Sequence, residues 1–199
     1  MQGLQSISVE TTAPTFQLDT SAARRLKQHG MTLTELMVVM GILGVLASLA
    51  IPSYKGFQER YRLEGYAMAL VTDIHYARSE SVAQNRGLRI SFGTDAGGTC
   101  YLIHSGNATN CTCNSDGTAQ CADANNSIQK SVGLATGLGV RVQSNVASIL
   151  FHPSRGTSTP AGSISVIGQN GNSIRQVVNI MGRTRTCSPQ GTVSGYKVC

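Results

Sequence analysis

The chain has 199 residues, a formal net charge of +6, six cysteines and no tryptophan. That is room for one ordinary domain beside a separate helical segment, and glycine at 22 residues with few aromatics suits short strands and many turns. There is no G-x-S-x-G, no H-E-x-x-H and no phosphate-binding glycine-rich loop, and His29, His75, His104 and His152 show no paired spacing, so nothing points to an enzyme or to a cofactor.

Residues 1–30 are polar, without periodicity, and carry Arg24, Arg25 and Lys27 near their end. From Leu36 to Tyr54 there are 19 residues and no charge. As a helix they would span roughly 28 Å, one hydrocarbon core. A single transmembrane helix is the expectation for residues 31–54. The basic residues before it keep the N-terminal side cytoplasmic, which places everything after Tyr54 outside, in the periplasm if the cell is Gram-negative. Glu35 stands alone near the start of the run. A helix N-terminus favours such an anion by about 0.3–1 kcal/mol, and a carboxylate at membrane depth is by default functional.

Residues 55–87 read as an amphipathic helix. Leu63, Ala67, Leu70, Ile74 and Ala77 recur at three- and four-residue spacing, while Arg60, Arg62, Glu64, Asp73, Arg78 and Glu80 take other faces. The helix is expected to end at Asn85-Arg86-Gly87, with Gly87 as a left-handed cap, and Pro52 and Gly65 to loosen it. Residues 88–199 form a disulfide-bonded β head. Its strands are LRISF, with Leu88, Ile90 and Phe92 on one face, then CYLIHS, LGVRV with Leu138, Val140 and Val142 inward and Arg141 outward, ASILFHP, GSISVIG and SIRQVVNIM. The stretch NATNCTCNSDGTAQCADANN reads as a polar loop. The fold class is α+β, one or two antiparallel sheets packed on a helix.

All six cysteines follow the apolar run, an even number on the oxidising side, which argues for disulfides. No metal is expected, because Cys111 and Cys113 have a C-x-C spacing rather than the C-x2-C of common zinc sites. Cys187 and Cys199 pair and close the C-terminal segment. The other four allow three pairings; Cys111 and Cys113 are too close to favour each other, and the expectation is Cys100–Cys111 with Cys113–Cys121.

Charge is segregated. Residues 124–199 contain no Asp or Glu and hold Lys130, Arg141, Arg155, Arg175, Arg183, Arg185 and Lys197. A field of one sign implies an anionic partner. In an extended GRTR segment Arg183 and Arg185 face one side, with Cα atoms about 6.5 Å apart, near the spacing of successive phosphates on one strand. Gly182 lets backbone approach closely, and the Cys187–Cys199 bond brings Lys197 alongside.

The stretch GMTLTELMVVMGILGVLASLAIP resembles the signature of type IV prepilins, with Met31 where the family usually has Phe and a 30-residue leader that is long for it. LVTDIHYARSESVAQNRGLRISF resembles the GspH/FimT family of minor pilins, and GTCYLIHSGNATNCTC and GRTRTC resemble its FimT branch. The resemblance implies a type IV pilin fold: a long N-terminal helix with a transmembrane first half, packed on an antiparallel sheet. It implies cleavage after Gly30 by prepilin peptidase, N-methylation of Met31, and a Glu35 that pairs with the terminal amine of a neighbouring subunit. The implied place is the inner membrane, single-pass with a periplasmic head, and then a filament or tip complex with other major and minor pilins. In the FimT branch a GRxR motif here is implicated in binding DNA for natural transformation. Gly182, Arg183, Thr184 and Arg185 match it, with Arg175 and Lys197 as further DNA-binding candidates. The alternative is a GspH-like structural minor pseudopilin of a type II secretion system.

Overall fold

The structure, a computed structural model, describes residues 30–199, and the side chains of all of these except 49–53. The expected leader lies outside the described residues apart from Gly30. The chain divides into two compact units, Met1–Val45 and Leu46–Cys199.

In the first unit Gly30–Val45 are exposed throughout, Leu36, Met37, Val38 and Met40 by more than half. The helix α1, Leu33–Ala83, begins here. Its start is capped by Thr32, whose Oγ1 accepts the Glu35 N–H at 3.3 Å and whose carbonyl accepts the Leu36 N–H at 3.2 Å. Thr32 and Glu35 thus have the spacing of a capping box, which gives the carboxylate a local place in the first turn. Among the described residues no helix is long and apolar enough to cross a membrane; the run Leu36–Tyr54 includes residues 49–53, whose side chains are not described.

In the second unit the helical assignment is unbroken at Pro52 and at Gly65. Leu63, Ala67, Leu70, Ile74 and Ala77 are all buried, the five positions that the periodicity selects. Each large apolar side chain so buried contributes about 1.5–3 kcal/mol. One polar residue departs from the expected pattern. Asp73, expected on another face, is 3% exposed. It accepts the Tyr101 hydroxyl at 2.7 Å and the Lys130 Nζ at 2.6 Å, which satisfies a carboxylate that burial alone would make costly. The helix ends earlier than expected, and on Asn85 rather than Gly87. Asn85 takes φ 49°, its N–H donates to the Val82 carbonyl, and the Arg86 N–H donates to that of Ser81, the two bonds of a Schellman motif.

Two antiparallel sheets share one core with α1. The first has the order β5-β2-β1-β7-β8, from β1 (Leu88–Asp95), β2 (Gly98–Ser105), β5 (Ile128–Ala135), β7 (Ser148–Phe151) and β8 (Ser158–Thr159). The second has the order β11-β10-β9-β6, from β6 (Val140–Ser144), β9 (Gly162–Gly168), β10 (Ser173–Val178) and β11 (Thr184–Cys187). Leu138 is not in a strand as expected. It ends a 3-10 turn, Thr136–Leu138, and Gly139 at φ 69° redirects the chain into β6.

The supposed polar loop contains a hairpin, β3 (Cys111–Cys113) with β4 (Ala119–Cys121). Its register corrects the disulfides. Cys111 stands opposite Cys121, with Cα atoms 4.0 Å apart, and bonds to it; Cys113 bonds to Cys100 on β2. The expected Cys100–Cys111 and Cys113–Cys121 pairs would need a different strand register. Asp95 holds the hairpin down by accepting the Ser115 N–H at 2.7 Å. Cys187 and Cys199 are joined.

His104 is fully buried on β2. Its Nε2 lies 2.8 Å from Ser91 Oγ and its Nδ1 2.9 Å from the Ser105 carbonyl. The carbonyl takes the Nδ1–H, so Nε2 accepts the serine hydroxyl. This buried pair ties β1 to β2. Burial holds the imidazole below the ordinary value of 6.5. The unfolded chain therefore binds a proton in acid that the folded head refuses. Stability from this group is full well above pH 6.5 and is lost as pH drops through that value, so the head is less stable at pH 5.5 than at pH 7.5. Urea midpoints of the chain in detergent at the two pH values measure this. His104→Gln removes that part of the fall, and an unchanged slope in the variant would contradict the assignment.

Candidate nucleic-acid interface

The four strands of the second sheet lie wholly within the acid-free residues 124–199. Alternation gives the sheet one buried face, with Val140, Val142, Ile164, Val166, Ile174 and Val178 in the core. The other face carries Arg141 on β6, Arg175 on β10 and Arg185 on β11. Register places Arg185 beside Val177 and Arg175 beside Cys187. The three arginines therefore spread across a sheet about 14 Å wide, at roughly 4.8 Å per strand. No carboxylate from the sheet's own strands answers them.

The connection from β10 to β11 holds Arg183. The Asn179 side chain accepts the Arg183 N–H at 3.0 Å, and the Gly182 N–H donates to the Asn179 carbonyl at 2.8 Å. Ser158 pins the turn to β8, its hydroxyl donating to the Asn179 carbonyl at 2.6 Å and its N–H to that of Ile180 at 3.0 Å. Gly182 has φ 69° and is buried. A Cβ there would stand 2.3 Å from the Gly156 carbonyl oxygen and 2.8 Å from Arg78 Nε. The glycine is thus needed for close packing against protein, not for approach to a phosphate as the sequence suggests. Thr184 is half-buried, and its hydroxyl has no hydrogen-bond partner among the described residues. Of the four motif residues, only Arg183 and Arg185 are exposed.

Lys197 is exposed in a tail held by the Cys187–Cys199 bond and by the Ser188 N–H donating to the Lys197 carbonyl at 2.8 Å. Two of the seven cations are engaged: Lys130 by Asp73, and Arg175, whose Nε donates to Ser165 Oγ at 3.1 Å. Among the described residues the side chains of Arg141, Arg155, Arg183, Arg185 and Lys197 have no hydrogen-bond or ion-pair partner. Cations left without carboxylates remain available to phosphate. Arg141 and Arg155 were not singled out as site residues in the sequence. The acid-free stretch contains both, but only strand register and the fold bring Arg141 onto the face of Arg175 and Arg155 next to the Gly182 turn. Gly30, Met31 and Glu35 belong to the other unit and are exposed there. No group of potential metal ligands occurs among the described residues.

Comparison with known proteins places this geometry. Residues 66–182 match the family described as type II transport protein GspH, and residues 25–51 match the prokaryotic N-terminal methylation motif. The pilin-like protein PilA1 of Thermus thermophilus is 35% identical over 83 residues, 42% of this chain and 52% of that protein. The chain thus spans about half the length of the curated relative it matches. The crystal structure of the type IV minor pilin FimU of Pseudomonas aeruginosa superposes with a TM-score of 0.50 at 20% identity, covering 67% of this chain and 97% of that one, which is a likeness of fold. The minor pseudopilin EpsH from the type 2 secretion system of Vibrio cholerae gives a TM-score of 0.46 at 12% identity, over 64% of this chain and 98% of that one. With the match to GspH extending over more than half of its length, the chain belongs to the GspH family and is a minor pilin or pseudopilin of the GspH/FimT kind, with the type IV pilin fold.

Proposed function

We propose that this chain is a minor type IV pilin that binds DNA without sequence preference through its basic C-terminal region, and that it serves DNA uptake in natural transformation as well as pilus biogenesis. The observation that carries this reading is the set of arginines without a partner among the described residues, Arg141, Arg183 and Arg185 with Arg155, on a surface whose strands contain no acid. Phosphate contacts position a protein without reading bases, and the head presents strands and turns here rather than a helix for the major groove. The affinity is that of non-specific contacts, micromolar at moderate salt, and several subunits on one filament add avidity.

Processing and anchoring follow the same reading. Prepilin peptidase cuts after Gly30, Met31 becomes the methylated terminus, and the apolar residues from Leu36 onward enter the inner membrane and later the filament core. Side chains as exposed as these need lipid or other pilins to cover them. Glu35 then pairs with the terminal amine of a neighbouring subunit, where the opposite charge offsets its desolvation. The family's description favours a second reading, a structural subunit of a type II secretion pseudopilus, which has no need of a basic surface. Pilins and pseudopilins are structural components, and neither reading makes the chain an enzyme.

Arg183→Gln and Arg185→Gln each weaken binding of the detergent-solubilised chain to DNA of any sequence, and the pair weakens it more. With two phosphates released, the slope of log affinity against log salt flattens by about 1.4 on single strands or 1.8 on duplex. Parental affinity and slope in the double variant would reject the motif, and a parent that binds no DNA at low salt would leave the pseudopilin reading. For assembly, mass spectrometry of the membrane-extracted chain finds Met31 as the methylated first residue. Glu35→Ala still enters the membrane but is depleted from sheared filaments. A terminus beyond residue 50, or normal incorporation of the variant, would contradict this part.

A further inference from the structure

Beside the Gly182 turn lies a depression of about 640 Å³ between α1 and the loop after β7, within the size range of small-molecule sites. His75, Tyr76 and Val82 of α1 form one side, and Arg155 and Gly156 the other. Tyr76 is 38% exposed and is not among the residues packed on the core. Arg78 reaches across, its Nε donating to the Gly156 carbonyl at 2.9 Å. No carboxylate engages it among the described residues. Glu80, the acid on this stretch of the helix, accepts a hydrogen bond from Gln84 at 2.6 Å. The Gly156 carbonyl and Arg78 are also the atoms against which Gly182 packs, so the wall of the depression and the turn bearing Arg183 are one contiguous surface.

We propose that this depression receives an unstacked base of single-stranded DNA, which lies on Tyr76 while Arg155 and Arg183 hold flanking phosphates. The inference rests on the DNA-binding reading and gives it a substrate class. A phosphate surface alone serves duplex and single strands alike. A concave site with an aromatic wall serves only a base that has left its stack, because paired bases offer their edges and not their faces. Stacking on one aromatic side chain is tolerant of sequence, in keeping with binding that reads no bases. The arginines of its lining also distinguish the occupant from an apolar side chain of a neighbouring subunit, which would gain nothing from Arg155 and Arg78.

The test is fluorescence anisotropy of the full chain in detergent micelles with a labelled 20-nucleotide oligothymidine, the same length of abasic strand, and a 20-base-pair duplex, at one salt concentration. Oligothymidine binds more tightly than the duplex or the abasic strand. Tyr76→Ala weakens oligothymidine binding about tenfold and leaves duplex binding unchanged, while Tyr76→Phe retains the parental preference and so shows that the fold is intact. Equal binding of all three probes, with Tyr76→Ala indistinguishable from the parent while Arg183→Gln weakens each, would overturn this inference and leave the DNA-binding reading standing. Failure of the parent to bind any probe would overturn both.

Discussion

The buried face of α1 is the constraint on which the head depends. Both sheets end their cores on Leu63, Ala67, Leu70, Ile74 and Ala77. Within that apolar face sits Asp73, whose two oxygens are taken by Tyr101 on β2 and Lys130 on β5. A half-satisfied buried carboxylate would cost several kcal/mol, so the helix can rotate or slide against the first sheet only by losing both partners. The second sheet is tied to the same helix through the Gln176 amide, which donates to the Ala67 carbonyl at 3.4 Å, and the 3-10 turn leading into it through Arg62, which donates to the Leu138 carbonyl at 2.9 Å.

That arrangement has an electrostatic consequence. The acids of the second unit lie on α1 and in the first half of the head, and the one acid buried in the core is consumed by Tyr101 and Lys130. The second sheet, built entirely from acid-free sequence, turns Val140, Val142, Ile164, Val166, Ile174 and Val178 to the core and its arginines outward. The turn with Arg183 is held in place from behind by Ser158, Gly156 and Arg78. A cation on a fixed turn loses less entropy on meeting a phosphate than one on a mobile loop. The surface is thus a product of where the core forces the strands to face, with little contribution from any single motif.

Much of this was legible in the sequence. The three- and four-residue spacing found the buried helix face, and alternation found most strands, because both report directly on which side chains avoid water. What escaped depended on contacts between distant segments. Asp73 looked like an exposed helix residue, since nothing local announces Tyr101 and Lys130. The strand β5 was missed, its Gly133 weakening the pattern; that glycine is there because Gly117 and Ser115 of the cysteine hairpin lie against it, with no room for a Cβ. The disulfide partners followed from hairpin register, which cysteine spacing leaves open. At the candidate site the arginines of GRTR were legible, but the reason for its glycine was not, and Arg141 and Arg155 joined the surface only through the fold.

The proposed function puts DNA on the acid-free face and the turn beside it. Photocrosslinking of oligothymidine to the full chain in detergent, followed by mass spectrometry of the peptides, tests it most directly. Crosslinks are expected in peptides containing Tyr76, Arg155 and the span from Arg175 to Arg185. Crosslinks confined to the cysteine hairpin between Asn107 and Asn126, or none at low salt, would contradict it.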